Sequence, residues 1–261
     1  MCARKKELVK MPPRIVDVTA QNIDECPPTC FLNPKNEGYN IKREWLKGRF
    51  SEGLKVKVLY DETDGKIHGF IEYVPGEYAW RAVDAEGYLF IHCIGVSPNS
   101  YKQKGYGSDL IRECIKDADG KLGVAVVASD GPFMATRNLF LKNGFAITEE
   151  DGKDQLLVKP LKEGLLPKFR DYREQLGNYQ GWQIVYSNQC PWVARFISEL
   201  DPTIVDRLEL TLTQFETAEQ AQNAPSIYAV FNLIHDGTAL ADRYISQTRL
   251  KNILKKHAAI A

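Results

Sequence analysis

Three stretches of the chain carry residues whose types and spacing can do chemistry. The first is Lys102-Gln103-Lys104-Gly105-Tyr106-Gly107, which follows an apolar run, Leu89 to Val96, and a turn at Ser97-Pro98-Asn99. It leads into Ser108 to Asp119, whose apolar stripe at Leu110, Ile111, Cys114, Ile115 and Ala118 has helical spacing. Two glycines one residue apart, directly ahead of a helix, leave amide N–H groups without side-chain cover, and the helix dipole adds positive potential there. That is an anion cradle suited to phosphate. The second stretch is Cys190-Pro191-Trp192-Val193, which reads as a cysteine at a helix N-terminus with proline at the first helical position. A sulfur placed there is favoured as thiolate, so Cys190 should be more reactive than Cys93 or Cys114. The third is Cys26-Pro27-Pro28-Thr29-Cys30, spaced for a metal or a redox pair. The other cysteines and histidines are isolated in sequence, and two prolines make this stretch a rigid turn first and a ligand pair second.

The elements that must position these residues follow from periodicity and turn chemistry. Arg14 to Thr19 reads as a strand, Ala20 to Glu25 as a short helix, and Tyr39 to Phe50 as an amphipathic helix packed through Ile41, Trp45, Leu46 and Phe50. Leu54 to Tyr60 and Lys66 to Val74 read as strands joined at Asp64-Gly65, a hairpin signal. Gly123 to Ser129 is a short valine-rich run suited to a buried strand. Ala135 to Phe145 reads as a helix ending at a glycine, and Phe145 to Thr148 with Gln155 to Lys159 as strands around Asp151-Gly152. These elements make a mixed sheet with helices on both faces. Pro160 to Gly181 is polar and reads as a linker. A second pattern begins at Trp182: a strand to Ser187, a helix holding Phe196, Ile197 and Leu200, strands at Leu208 to Thr213 and Ile227 to Leu233, a turn at Asp236-Gly237, another strand, and a final helix with Leu250, Ile253 and Leu254.

The glycine cradle together with Asn138-Leu139-Phe140-Leu141-Lys142-Asn143-Gly144-Phe145 resembles the GNAT acyltransferases, whose cofactor loop reads Arg/Gln-x-x-Gly-x-Gly/Ala. Lys102 stands where arginine or glutamine is usual, and offers charge without a planar fork. Phe140 stands where many members have a tyrosine general acid. The resemblance covers roughly the first 160 residues. It implies acetyl-CoA as cosubstrate, its pyrophosphate over Lys102, Gln103, Lys104, Gly105, Tyr106, Gly107 and Ser108, with Asn138 and Lys142 alongside. It implies two splayed central strands, and a backbone amide among Ile94, Gly95 and Val96 that meets the thioester carbonyl. The acceptor would be an amine on a small molecule or peptide. For the base, His92 is best placed, because it lies on the cradle strand and histidine titrates near neutral pH; a buried core histidine is the competing reading. Glu72 and Glu86 stand behind it, and a tyrosine such as Tyr101 or Tyr106, or water, would protonate the leaving thiolate.

The pattern from Trp182 onward resembles a small thioredoxin or glutaredoxin fold, with Pro225 at the position of the family's cis-proline beside the reactive cysteine. Val193 replaces the second cysteine of Cys-x-x-Cys, so no disulfide closes inside the motif, and the Gly-Gly of glutaredoxins is absent. A GNAT domain followed by this module resembles the YoaP-like acetyltransferases. The expected architecture is therefore α/β: a GNAT domain over 1–160, a linker over 161–181 and a thioredoxin-like domain over 182–261. The expected activity is acetyl-CoA-dependent N-acetylation by direct attack of the amine on the thioester, with Cys190 a further candidate catalytic residue. The competing class is a monothiol binding or redox module whose acyl-CoA domain is degenerate.

Composition bounds these readings. At 261 residues with 44% hydrophobic and 26% charged side chains, the chain is long enough for two ordinary globular domains. Its 34 basic and 34 acidic side chains cancel, so no general pull toward nucleic acid or anionic membrane is expected. The opening Met1 to Lys10 is basic without the apolar core of a signal peptide, which points to the cytoplasm. Most of the six cysteines over this length are expected to be free thiols there. The sequence leaves the oligomeric state open, with a homodimer among the assemblies it permits.

Overall fold

The computed structural model describes residues 12–28, 30–129 and 135–257, so the basic opening segment read above lies outside them. The first half follows the hydrophobic pattern. Strand β1 (Arg14–Val18) leads through hydrogen-bonded turns over residues 20–25, where a helix was expected, to α1 (Glu37–Arg49). Asn36 caps α1 by accepting from the Gly38 N–H at 3.0 Å. The hairpin β2 (Lys55–Asp61) and β3 (Lys66–Pro75) turns as Asp64-Gly65 dictates, with Gly65 at φ 66°. A loop carrying Trp80 and the short β4 (Val83–Asp84) precedes the cradle strand β5 (Tyr88–Val96), which runs into α2 (Tyr106–Asp117). Then come β6 (Gly123–Ser129), α3 (Arg137–Leu141), β7 (Ala146–Asp151) and β8 (Asp154–Pro160).

Seven of these strands form one mixed sheet in the order β1-β2-β3-β5-β6-β8-β7. Alternation along each strand separates two apolar faces. Val56, Val58, Phe70, Val74 and Phe90 pack with Leu46 of α1 on one; Ile71, Tyr73, Leu89, Ile91 and Val126 pack with Leu110, Ile111 and Cys114 of α2 on the other.

Residues 161–181 are more structured than a bare linker. Strand β9 (Lys168–Phe169) pairs antiparallel with β4, and α4 (Arg173–Leu176) follows. The second unit comprises β10 (Trp182–Ser187), α5 (Pro191–Ser198), α6 (Pro202–Leu208), β11 (Thr211–Phe215), α7 (Ala218–Gln222), β12 (Phe231–His235), β13 (Thr238–Ala241) and α8 (Gln247–His257). Its sheet has the order β11-β10-β12-β13, with β10 and β11 parallel and the other pairs antiparallel. The expected strand at Leu208 starts later because Asp201, accepting from the Thr203 N–H, and Pro202 open α6 first. Likewise the strand expected from Ile227 starts at Phe231.

The two sheets are packed together. Trp80, 1% exposed, lies in an apolar cluster with Val185, Phe215, Ala221 and Ile234 of the second unit. Helices α1 and α5 touch backbone to backbone: a Cβ on Gly38 would lie 2.2 Å from the Pro191 carbonyl oxygen, so only glycine fits there. Among the described residues, no helix is long and apolar enough to cross a membrane.

Candidate active site

Strands β5 and β6 part halfway along. They pair from Tyr88 to Ile91 against Gly123 to Val126, after which β6 continues with β8 only and β5 with β3 only. Glu72 of β3 opposes Cys93 while Tyr73 opposes Ile91, so His92 is an extra, bulged residue. The bulge turns the end of β5 away from β6. Strand residues direct their N–H groups alternately to either side, so beyond Ile91 those turned from β3 face a gap instead of a partner. Ile94, Gly95 and Val96 border that gap.

The cradle meets the gap on the α2 side. Gly105 is the N-cap of α2 at φ 88°, Gln103 takes φ 60°, and no side chain caps the first turn. Lys102, Gln103, Lys104 and Gly105 are exposed, and Tyr106, Gly107 and Ser108 are half-buried. Gly107 backs onto α3, where an added Cβ would sit 3.3 Å from Leu139 Cδ1. Asn143 Nδ2 donates to Ser108 Oγ at 3.0 Å and to the Leu139 carbonyl at 2.8 Å, which fixes α3 beside the cradle. Asn138 on α3 and Lys142 at its C-cap are exposed. Phe140 is fully buried edge-on to Phe145, a core residue with no proton to give. Of the two tyrosines considered as donors, Tyr101 gives its hydroxyl hydrogen to Asp61 at 2.6 Å, which pushes its pKa up to about 12. Tyr106 stays at the helix start.

On the opposite face, beneath α1, lies a buried polar network. Lys42 Nζ is 2.5 Å from Glu72 Oε2, and both side chains are 1% exposed. Gln189, from the second unit, donates Nε2–H to Glu72 Oε1 at 3.0 Å and accepts from Arg81 Nη1 at 2.9 Å. Arg81, 2% exposed, also donates to the carbonyls of Trp80 and His92, and its guanidinium lies 4.1 Å from the Tyr228 ring centre. Burial opposes the Glu72 charge, but Lys42 and His92 hold its pKa down at about 2.

This network corrects the expected bases. His92 Nε2 accepts the Trp80 N–H at 2.9 Å, which leaves the ring proton on Nδ1, 3.3 Å from Glu72 Oε1. Burial lowers its pKa to about 4. Its lone pair is committed, so His92 is a neutral clamp. Glu72 is ionised, but it is buried between Lys42 and Gln189 and its lowered pKa makes it a weak base. Glu86 is exposed in the turn before β5, at the far end of that strand from the gap.

A cavity of about 220 Å³ opens on this face beside the end of β5 that has parted from β6. Gly95 makes room for it: a Cβ there would lie 3.2 Å from Phe70 and 3.5 Å from Phe31. The second unit supplies the other wall through Cys190, Trp192, Tyr228 and Tyr244. Cys190 is the N-cap of α5 as expected, but burial raises its pKa more than the N–H groups of Val193 and Trp192 lower it. The eased thiol is Cys93, which the Cys30 thiol hydrogen-bonds and brings down. The Pro225 bond is trans; among the described residues the cis peptide is Ser97–Pro98. Cys190 therefore shares one cavity with Cys93, Ile94 and Gly95 of β5, although the sequence placed it in a domain of its own.

Lys42, Arg81, Gln189 and Cys93 were missed in sequence, and Cys30 was read there as the partner of Cys26. Lys42 left a signal, since it lies four residues before Leu46 on the apolar stripe of α1, where a lysine needs a buried partner. The others come together only through tertiary contacts.

Residues 20–145 match the acetyltransferase (GNAT) family, and this span contains both the cradle and the splayed strands. The matched span is thus an acyltransferase domain. The uncharacterized N-acetyltransferase YoaP of Bacillus subtilis is 28% identical over 249 residues, covering 92% of this chain and 97% of that protein, so the likeness runs through both sheets. Two solved structures are similar over the first part: yncA of Salmonella typhimurium with acetyl-CoA (18% identity, 59% of this chain and 98% of that one, TM-score 0.43) and the PaiA N-acetyltransferase of Thermoplasma acidophilum with coenzyme A (17%, 57% and 99%, 0.42).

Proposed function

We propose that this protein is an acetyl-CoA-dependent N-acetyltransferase. The observation that carries the reading is the meeting of the splayed β5 end with the uncapped first turn of α2. The residues present fit the cofactor. Exposed Lys102 and Lys104 and the first-turn amides of Tyr106, Gly107 and Ser108 would hold its pyrophosphate, and the close packing of Gly107 on Leu139 keeps a side chain out of the way. When bound, acetyl-CoA supplies the activated acetyl thioester. The Ile94 to Val96 amides that face the gap receive the developing oxyanion. The acceptor amine enters from the α1 face through the cavity and attacks as the free base, because His92 has its lone pair committed to the Trp80 N–H and Glu72 is a buried, weakly basic carboxylate held by Lys42. Tyr106 is the donor at hand for the leaving thiolate.

The second unit is thioredoxin-like in this reading, supported by the parallel β10 and β11, the helix started by Cys190, and the antiparallel β12 and β13. Its working part spans 182–261, joined through 161–181 to a GNAT unit ending near 160. Its role here is to wall the acceptor pocket. Replacing Gly107 with valine forces a branched side chain against Leu139 and over the cradle. Calorimetry should show acetyl-CoA binding lost in Gly107→Val while circular dichroism reports an intact fold. Unchanged affinity in that variant defeats the proposal.

A further inference from the structure

Cys30, Cys93 and Cys190 come from a loop, a strand and a helix N-terminus far apart in the chain, yet all three line the same cavity. All are free, half-buried thiols. Cys30 and Cys93 are within hydrogen-bond reach of one another. Cys30 is aimed there at a cost: it and Phe31 adopt left-handed φ values of 49° and 61°, which non-glycine residues avoid. Phe31 holds that geometry by packing edge-on against Phe70, 5.7 Å between ring centres. The rest of the lining is largely aromatic and aliphatic. Three thiols in an apolar pocket suit a thiophilic ligand.

The donor set decides which kind. Among the described residues no third His, Cys, Asp or Glu ligand atom joins the Cys30 and Cys93 sulfurs in a set within 4.8 Å of one another, so a metal dication would find too few donors for a closed tetrahedral site. A trivalent organic arsenical needs two sulfurs alone: it condenses with both thiols and ends neutral.

We propose that this cavity binds trivalent arsenic or antimony compounds, chelated by Cys30 and Cys93, with Cys190 as the third sulfur when the ligand is inorganic. For an organic arsenical, R–As(OH)₂ + Cys93–S⁻ + Cys30–SH gives R–As(S–Cys93)(S–Cys30) + H₂O + OH⁻. Two As–O bonds break, two As–S bonds form, and arsenic stays trivalent throughout. The organic group R occupies the apolar lining. The hydrogen bond that lowers Cys93 supplies the attacking thiolate, and burial keeps Cys30 and Cys190 protonated, so each can give a proton to a departing hydroxide. The three sulfurs do not all lie within 4.8 Å of one another, so the Cys30–Cys93 chelate forms first and Cys190 closes on it. This inference stands on the cavity and does not depend on the acetyl-transfer reading.

The test uses the full-length reduced protein titrated with phenylarsine oxide in excess glutathione, followed by intact mass spectrometry and thiol counting. One arsenical per chain should bind, with two thiols lost, mapped to Cys30 and Cys93. Cys30→Ser and Cys93→Ser should each weaken binding by about a hundredfold or more, since the second bond to arsenic is an intramolecular one. Cys26→Ser and Cys114→Ser should bind as wild type. Arsenite should consume three thiols in the wild type and two in Cys190→Ser. Because Cys30 is a loop residue, Cys30→Ala with circular dichroism separates lost chelation from lost fold. An adduct that persists in Cys93→Ser, that maps to Cys26, or that zinc or cadmium displaces would overturn the proposal. Acetyl-CoA calorimetry on the same samples reports separately on the transferase reading.

Discussion

Glu72 answers Lys42, His92 and Gln189 at once. Removing one partner of a buried pair leaves the other charge uncompensated. Glu72→Gln should therefore destabilise the protein by about 3–5 kcal/mol, read as a lower urea midpoint. The pH dependence has a definite sign. His92 binds a proton at about 4 when folded against 6.5 ordinarily, so between those values the unfolded chain takes up the proton first and stability falls as pH drops. Glu72, lowered to about 2 from 4.5, continues that loss at still lower pH. Urea midpoints should decline from pH 6.5 to 4 in the wild type, and the decline should be shallower in His92→Gln. A wild-type midpoint that stays level over that range contradicts the neutral clamp. Kinetics give the matching check: with no side-chain base, the rise of kcat/KM with pH should track the pKa of whichever amine is offered, and His92→Gln should keep that profile.

At the scale of elements, the pattern of apolar residues and the turn residues made most of the fold legible. The hairpin at Asp64-Gly65, the strand Gly123–Ser129 and the helix after the cradle lie where period and turn chemistry put them, within a residue or two. Short-range competition explains the differences. Residues 20–25 close turns onto Thr19 and Asn22 instead of a helix, and the cap at Asp201 with Pro202 starts α6 where only the following strand was foreseen. Strand β9 has two residues, too few for any periodic signal. The α1–α5 contact was equally hidden, because nothing around Gly38 in sequence announces that another helix backs onto it. Gly38→Ala would place a methyl against the Pro191 carbonyl and push α5 outward. Overpacking of this kind costs about 1–3 kcal/mol. Faster proteolysis within 161–181 should accompany it; an unchanged cleavage rate would show that the two helices can part freely.

At the scale of the molecule, the sequence divides into two patterned halves, and that division concealed the site. Reading Cys190 within its own half made it a reactive thiol at a helix start; the packed structure makes it one wall of a cavity whose other wall is β5. The bridge is Gln189, which is 4% exposed and joins Arg81 to Glu72 from the far side of the interface. Gln189→Ala would leave a guanidinium N–H and a carboxylate oxygen short of partners, at a cost of about 1–3 kcal/mol or more where the groups are charged. The cradle lies on the opposite face of the sheet and shares no residue with this bridge. Gln189→Ala should therefore raise KM for the acceptor amine or lower kcat while calorimetry finds acetyl-CoA affinity unchanged. If acetyl-CoA affinity falls in step with turnover, the second unit is shaping the cofactor site through the sheet, and its assignment as a wall of the acceptor pocket fails.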